Sequence, residues 1–144
     1  MGKEIVENRA LVGEIKTLIE QSKQQVSVAV NATISMLYWQ VGNRINKEIL
    51  KDQRAEYGKQ IVVTLSQQLL EDYGNSFSEK NIRRMMQFAT VFQEKEIVVS
   101  LIRQLSWTHL LAIIPIEDPL KRQFYIEICK IEKWSVRTFR EKIN

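Results

Sequence analysis

YGNSFSEKNIRRMMQF, residues 73–88, reads as a corner between two helices. One helix is predicted to end at Tyr73, where Gly74 and Asn75 tolerate a left-handed turn. Ser76 or Ser78 then stands in position to cap the next helix. On that second helix Ile82, Met85, Ala89 and Phe92 follow apolar spacing. Lys80, Arg83, Arg84 and Gln87 fall at i, i+3, i+4 and i+7 on another face. A capped corner with one apolar and one basic face is the layout of a helix-turn-helix whose second helix enters a DNA major groove.

Working outward from the corner, the segment before it supplies the first helix of such a motif, with Ile61, Val62, Leu65, Leu69 and Leu70 on its inner face. It follows a charged connection, Lys51 to Tyr57, and Gly58. Further upstream, Ile5, Leu11, Val12, Ile15, Leu18 and Ile19 recur at helical spacing from Glu4 to about Ser22. From Val26 to Leu50, Val30, Ile34, Leu37, Val41, Ile45 and Ile49 form a second stripe, with Val28, Ala29, Met36 and Trp39 off it. The first half of this second segment is expected to be covered on several sides. No Gly or Pro falls between Gly13 and Gly42, so residues 5–50 form either a hairpin or one long helix. An antiparallel pair within the chain is the preferred expectation. A continuous rod would instead call for a partner chain, and dimerisation would then lie here.

Downstream, the β-branched run Ile97 to Val99 reads as a short strand or a helical turn. Ser106 caps a short helix, Trp107 to Ile114, that Pro115 stops. Asp118 and Pro119 start a helix to about Lys133, with cap and first-turn proline in their favoured places. Ser135 caps a last helix, Val136 to Ile143. The expected fold is therefore all-α and a single domain, 1–144, with long N-terminal helices (1–52), a helix-turn-helix (57–93) and a short C-terminal helical bundle (105–144).

Composition agrees with that outline. The chain has 144 residues, 44% hydrophobic and 26% charged, with 5 Gly and 2 Pro, which suits a globular protein of long helices. A net charge of +4 permits a polyanionic partner without requiring one. The single cysteine, Cys129, rules out an internal disulfide and reads as a small buried hydrophobe. No apolar run reaches the roughly 20 residues of a membrane span, so a soluble, cytoplasmic protein is expected.

The candidate DNA-binding residues are Lys80, Arg83, Arg84 and Gln87, whose side chains suit both phosphate contact and bidentate base contact. Ser78 and Asn81, at the helix start, join them because helix N-termini favour anions. A solvated charged face explains the stripe nearly as well, and its coincidence with the corner and the caps favours DNA. A second basic group, Lys133, Arg137, Arg140 and Lys142, is interspersed with Glu132 and Glu141 and reads as solvated. Trp107, Trp134, Phe124 and Tyr125 read as packing residues. His109 has no arranged partner for catalysis or metal binding and reads as a hydrogen-bonded or capping residue. Glu14-Ile15-Lys16 matches the bare ExK nuclease signature on an amphipathic helix, where nothing assembles two carboxylates around a metal ion. No catalytic, cofactor or metal site is expected, and the chain is not read as an enzyme.

The residues resemble the N-terminal domain of the YhcG-like PD-(D/E)xK nuclease family. The resemblance is carried by Tyr38-Trp39-Gln40-Val41-Gly42 with Ile45, Tyr57-Gly58, Leu65-Ser66 with Leu69, Tyr73-Gly74 with Phe77-Ser78, and Asn81-Ile82-Arg83-Arg84-Met85. It continues through Leu105-Ser106-Trp107-Thr108-His109, Arg122-Gln123-Phe124-Tyr125 and Trp134-Ser135-Val136-Arg137. It implies a bacterial protein of restriction or defence loci in which a C-terminal PD-(D/E)xK nuclease domain follows this region. No such domain falls within residues 1–144, so the family's nuclease activity maps to no residue here. From Ile61 onward the chain is also similar, more loosely, to the helix-turn-helix region of ParB-type partition proteins. That similarity runs through Leu105-Ser106, His109, Asp118-Pro119 and Ser135-Val136-Arg137, with the insertion Asn75 to Phe77 departing from it. Both resemblances imply double-stranded DNA as a partner. The alternative is a helical dimerisation or protein-interaction module, a homodimer included, with no direct DNA contact.

Overall fold

The computed structural model describes residues 2–51 and 55–143, with side chains from Arg9 onward in the first helix. The expected place of Ile5 in the apolar stripe, and positions 52–54 of the charged connection, lie outside the described residues. Among the described residues seven α-helices follow one another: α1 (Gly2–Lys51), α2 (Ala55–Tyr73), α3 (Glu79–Val91), α4 (Lys95–Gln104), α5 (Trp107–Ile113), α6 (Pro119–Glu132) and α7 (Val136–Ile143). A 3-10 turn, Asn75–Phe77, joins α2 to α3. The described residues contain no strand, and Ile97 to Val99 lie within α4, so the all-α expectation holds.

The preferred hairpin for residues 5–50 is replaced by a single helix of 50 residues. At 1.5 Å per residue it is about 75 Å long. The reason is local: nothing between Gly13 and Gly42 breaks a helix, and the polar run Gln21 to Gln25 consists of residues that helices accept. From Arg9 to Val30 every residue is exposed, and partial burial begins at Asn31. The predicted stripe therefore divides. Ile45 is buried and Val41 and Ile49 are half-buried, whereas Leu11, Val12, Ile15, Leu18, Ile19, Val26, Val30, Ile34 and Leu37 all lie open to solvent. Of the residues off the stripe, Val28 and Ala29 are exposed while Met36 is half-buried and Trp39 buried, so this chain supplies the expected covering on one side only.

The face of α1 that enters the body carries Ser35, Trp39, Gly42, Ile45 and Asn46. Gly42 meets α3 so closely that a Cβ there would collide with the backbone carbonyl of Met85. The indole N–H of Trp39 donates to the Phe92 carbonyl at 2.7 Å in a buried setting, tying α1 to the C-terminal end of α3. Asn46 donates to the Met86 carbonyl at 2.9 Å and reaches Thr90 Oγ1 at 3.2 Å. Both side chains thus bond from α1 to main-chain carbonyls of α3 and its C-cap.

Two cores lie on either side of α3. The smaller joins Ile45 of α1, Val62 of α2 and Ile82 of α3. The larger gathers Phe88, Ala89 and Phe92 with Val98, Leu101, Ile102 and Leu105, then Leu110, Ile113, Ile126, Cys129 and Phe139. Thus α3 is the shared wall, and its apolar face (Ile82, Met85, Phe88, Ala89) is fully buried. In the C-terminal part Ser106 and His109 form a capping box at α5. His109 Nε2 also lies 2.9 Å from the Trp134 carbonyl, so the ring donates there and accepts at Nδ1 from Ser106. The histidine is a structural bridge between α5 and the α6–α7 turn, in which Lys133 adopts a left-handed conformation. Trp107, Tyr125 and Trp134 pack on the larger core as expected. Phe124 does not: it is 58% exposed, with its ring edge-on to that of Tyr125, because its position on α6 faces outward with Leu120 and Ile131.

Candidate nucleic-acid interface

The corner is built by short polar contacts. The α2 helix closes with the Gly74 N–H on the Leu70 carbonyl, and Gly74 takes φ 87°, a conformation that costs a glycine little. The Ser66 hydroxyl donates to the Phe77 carbonyl at 3.0 Å, holding the 3-10 turn against α2. Ser78, one of the two predicted caps, accepts the Asn81 N–H at 3.2 Å and starts α3. Glu79 in the first turn suits the positive end of the helix dipole.

The six predicted residues separate into two groups. Lys80, Arg83 and Gln87 project together from the exposed side of α3, opposite the buried apolar face, with half-buried Arg84 at its edge. Ser78 and Asn81 are engaged in the corner itself: besides the cap, the Asn81 side-chain amide donates to the Asn75 carbonyl at 3.3 Å. Arg84 lies 3.5 Å from Asn81 Oδ1. Among the described residues no carboxylate forms an ion pair with Lys80, Arg83 or Arg84.

Tertiary structure adds a neighbour that the spacing does not reveal. Arg84, Lys121 and Arg140, from α3, α6 and α7, line one open cleft of about 660 Å³ together with Glu117 and Asp118. The second basic group is thereby dispersed: Arg140 turns to this cleft, Arg137 pairs with Glu141 at 3.6 Å, and Lys133 ends α6. The only sequence signal for the cleft is the helical phase of Arg140, which carries no information about α3.

The hydrogen bond from Arg44, with the charges of Lys51 and Arg44, lowers the carboxyl of Glu48 below its usual range, and burial pushes the Cys129 thiol up. Neither lies on the basic face of α3. Among the described residues no three His, Cys, Asp or Glu side chains gather where they could hold a metal ion. No helix among those residues is long and apolar enough to cross a membrane.

Comparison with known proteins fits this geometry into a lineage. The chain is 29% identical over 143 residues to the Escherichia coli K12 protein named "Putative nuclease YhcG", in an alignment covering 87% of this chain. The chain spans 37% of that relative's length. No solved structure matches. Residues 14–144, which include the body, the corner and most of the exposed rod, match a single family throughout, and the chain belongs to the DUF1016 N-terminal domain family.

Proposed function

We propose that the α2–turn–α3 unit binds double-stranded DNA, with α3 in the major groove, and that it targets or regulates a nuclease domain carried by longer members of the family. The observation that carries this reading is the exposed arc of Lys80, Arg83 and Gln87, with no ion pair to a carboxylate among the described residues, on the outer side of a corner whose inner side is locked into the core. In this reading Arg83 and Gln87 reach base edges and Lys80 a phosphate. Arg84 meets the backbone from the cleft it shares with Lys121 and Arg140. Ser78 and Asn81 shape the helix start and offer its N-terminal dipole to a phosphate. The work is that of a cytoplasmic restriction or defence protein.

Fluorescence anisotropy with duplex DNA over a salt series tests the proposal. Affinity should fall steeply with salt, and Arg83→Ala with Arg84→Ala should cost about 1–3 kcal/mol per base-reading arginine and flatten the salt slope. An absence of binding to any duplex at low salt overturns it. A second reading, an interaction module, is favoured by a separate observation, the uncovered apolar stripe of α1. The two are compatible in one chain.

A further inference from the structure

We infer that the exposed stripe of α1 is the dimer interface of this protein, covered by α1 of a second copy lying antiparallel to it. The inference rests on the reading of α1 as an interaction element, and it specifies the occupant. From Leu11 to Leu37 the stripe runs about 39 Å along the helix. Its nine branched residues leave roughly half of their surfaces in water. That amounts to on the order of 800 Å² per copy, the area each partner gives to a specific interface of standard size.

Self-association suits the stripe's chemistry. Glu14 and Glu20 fall off it by helical phase, and Lys16 and Lys23 stand at its margin, Lys23 paired with Glu20 at 3.7 Å, so the stripe itself is apolar. Leucines stand at both ends, Leu11 and Leu37, and near the centre Val26 lies between the small Ser22 and Ala29. An antiparallel copy therefore meets a similar pattern from either direction, as a two-fold interface requires.

Orientation follows from α2. Beyond Leu37 the stripe runs into an apolar groove of about 560 Å³ between α1 and α2, lined by Val41, Ile45, Ile61, Leu65 and Leu69 among others. Here α2 stands beside the stripe's own continuation. Two parallel copies would bring their α2 helices together and hold the stripe ends apart. An antiparallel copy instead directs its N-terminal half toward the groove.

Light scattering of the 144-residue chain at tens of micromolar should give twice the chain mass. Leu18→Glu, at a position 62% exposed in the single chain, should keep the far-ultraviolet helix signal and raise the dissociation constant at least about tenfold. Orientation is read by disulfide trapping, with the native Cys129 buried. Chains bearing Leu11→Cys should cross-link to chains bearing Leu37→Cys, and neither should cross-link to its own kind. A monomer, a dimer indifferent to Leu18→Glu, or cross-linking of Leu11→Cys chains to one another overturns the inference. The DNA reading is judged separately: monomeric Leu18→Glu that still binds duplex retains it, and a dimer that binds no DNA at low salt removes it alone.

Discussion

The two halves of α1 belong to one unbroken helix and carry similar amounts of apolar side chain, yet one is bare and the other is seated in the body. From Arg9 to Val30 every residue is exposed; from Asn31 onward α3, α4 and α5 pack against one side. The seated side is not the more apolar one. It presents Ser35, Gly42 and Asn46 beside Trp39 and Ile45, while Ile34 and Leu37 on the opposite side face water. Close packing explains the choice. A small residue admits the α3 backbone, and the Trp39 and Asn46 side chains donate to the Phe92 and Met86 carbonyls, bonds that a row of leucines cannot make.

Matched substitutions expose that contrast most strongly. Ile45→Ala should remove about 2–5 kcal/mol of folding stability by urea denaturation, because Ile45 is 6% exposed at the junction of α1, α2 and α3. Ile15→Ala, at 46% exposure on the bare half, should change single-chain stability by less than about 0.5 kcal/mol. Equal losses would mean that the bare half is covered in the folded chain, and the contrast would collapse.

Next in size is Gly42→Ala, which adds one methyl group where the Met85 carbonyl already stands. It should cost about 1–3 kcal/mol and separate α1 from α3, lowering the melting temperature, although alanine is the better helix former. Gly13→Ala, in open space on the same helix, should be neutral or slightly stabilising. The smallest effect is expected from Asn46→Ala, which gives up the bonds to the Met86 carbonyl and Thr90 for about 0.5–1.5 kcal/mol. Amide exchange sharpens the same comparison: in dilute single chains, amides of the bare half should exchange well before those from Ser35 to Asn46.

Much of the fold is legible because its signals are local. Ser78, Ser106, Asp118 and Ser135 each cap the helix that the sequence assigns to them, and Pro119 sits in the first turn of α6. Ile82, Met85 and Ala89 mark the buried side of α3 by spacing alone, so the basic residues fall on the other side by default. Phase along a single helix can be read without knowing its neighbours. The hairpin expectation for residues 5–50 failed because it assumed that apolar residues are covered within the same chain, and no local signal tests that assumption. Phe124 misled for the same reason: an aromatic in an apolar pattern does not reveal which side its neighbours occupy.

The candidate interface divides in the same way. Lys80, Arg83 and Gln87 share a face by helical geometry, whereas Asn81 is held in the corner by its bond to the Asn75 carbonyl and Arg84 lines a cleft with Lys121 and Arg140. Periodicity, capping and the absence of breakers determined by themselves that the chain is a series of helices, where most of them begin, and that α3 has a basic side. Only the tertiary structure decided which side of α1 is seated and which is bare, and that Arg84 and Arg140 share a cleft. Those outcomes depend on which distant surfaces fit together, and side-chain spacing along one helix does not encode the shape of another.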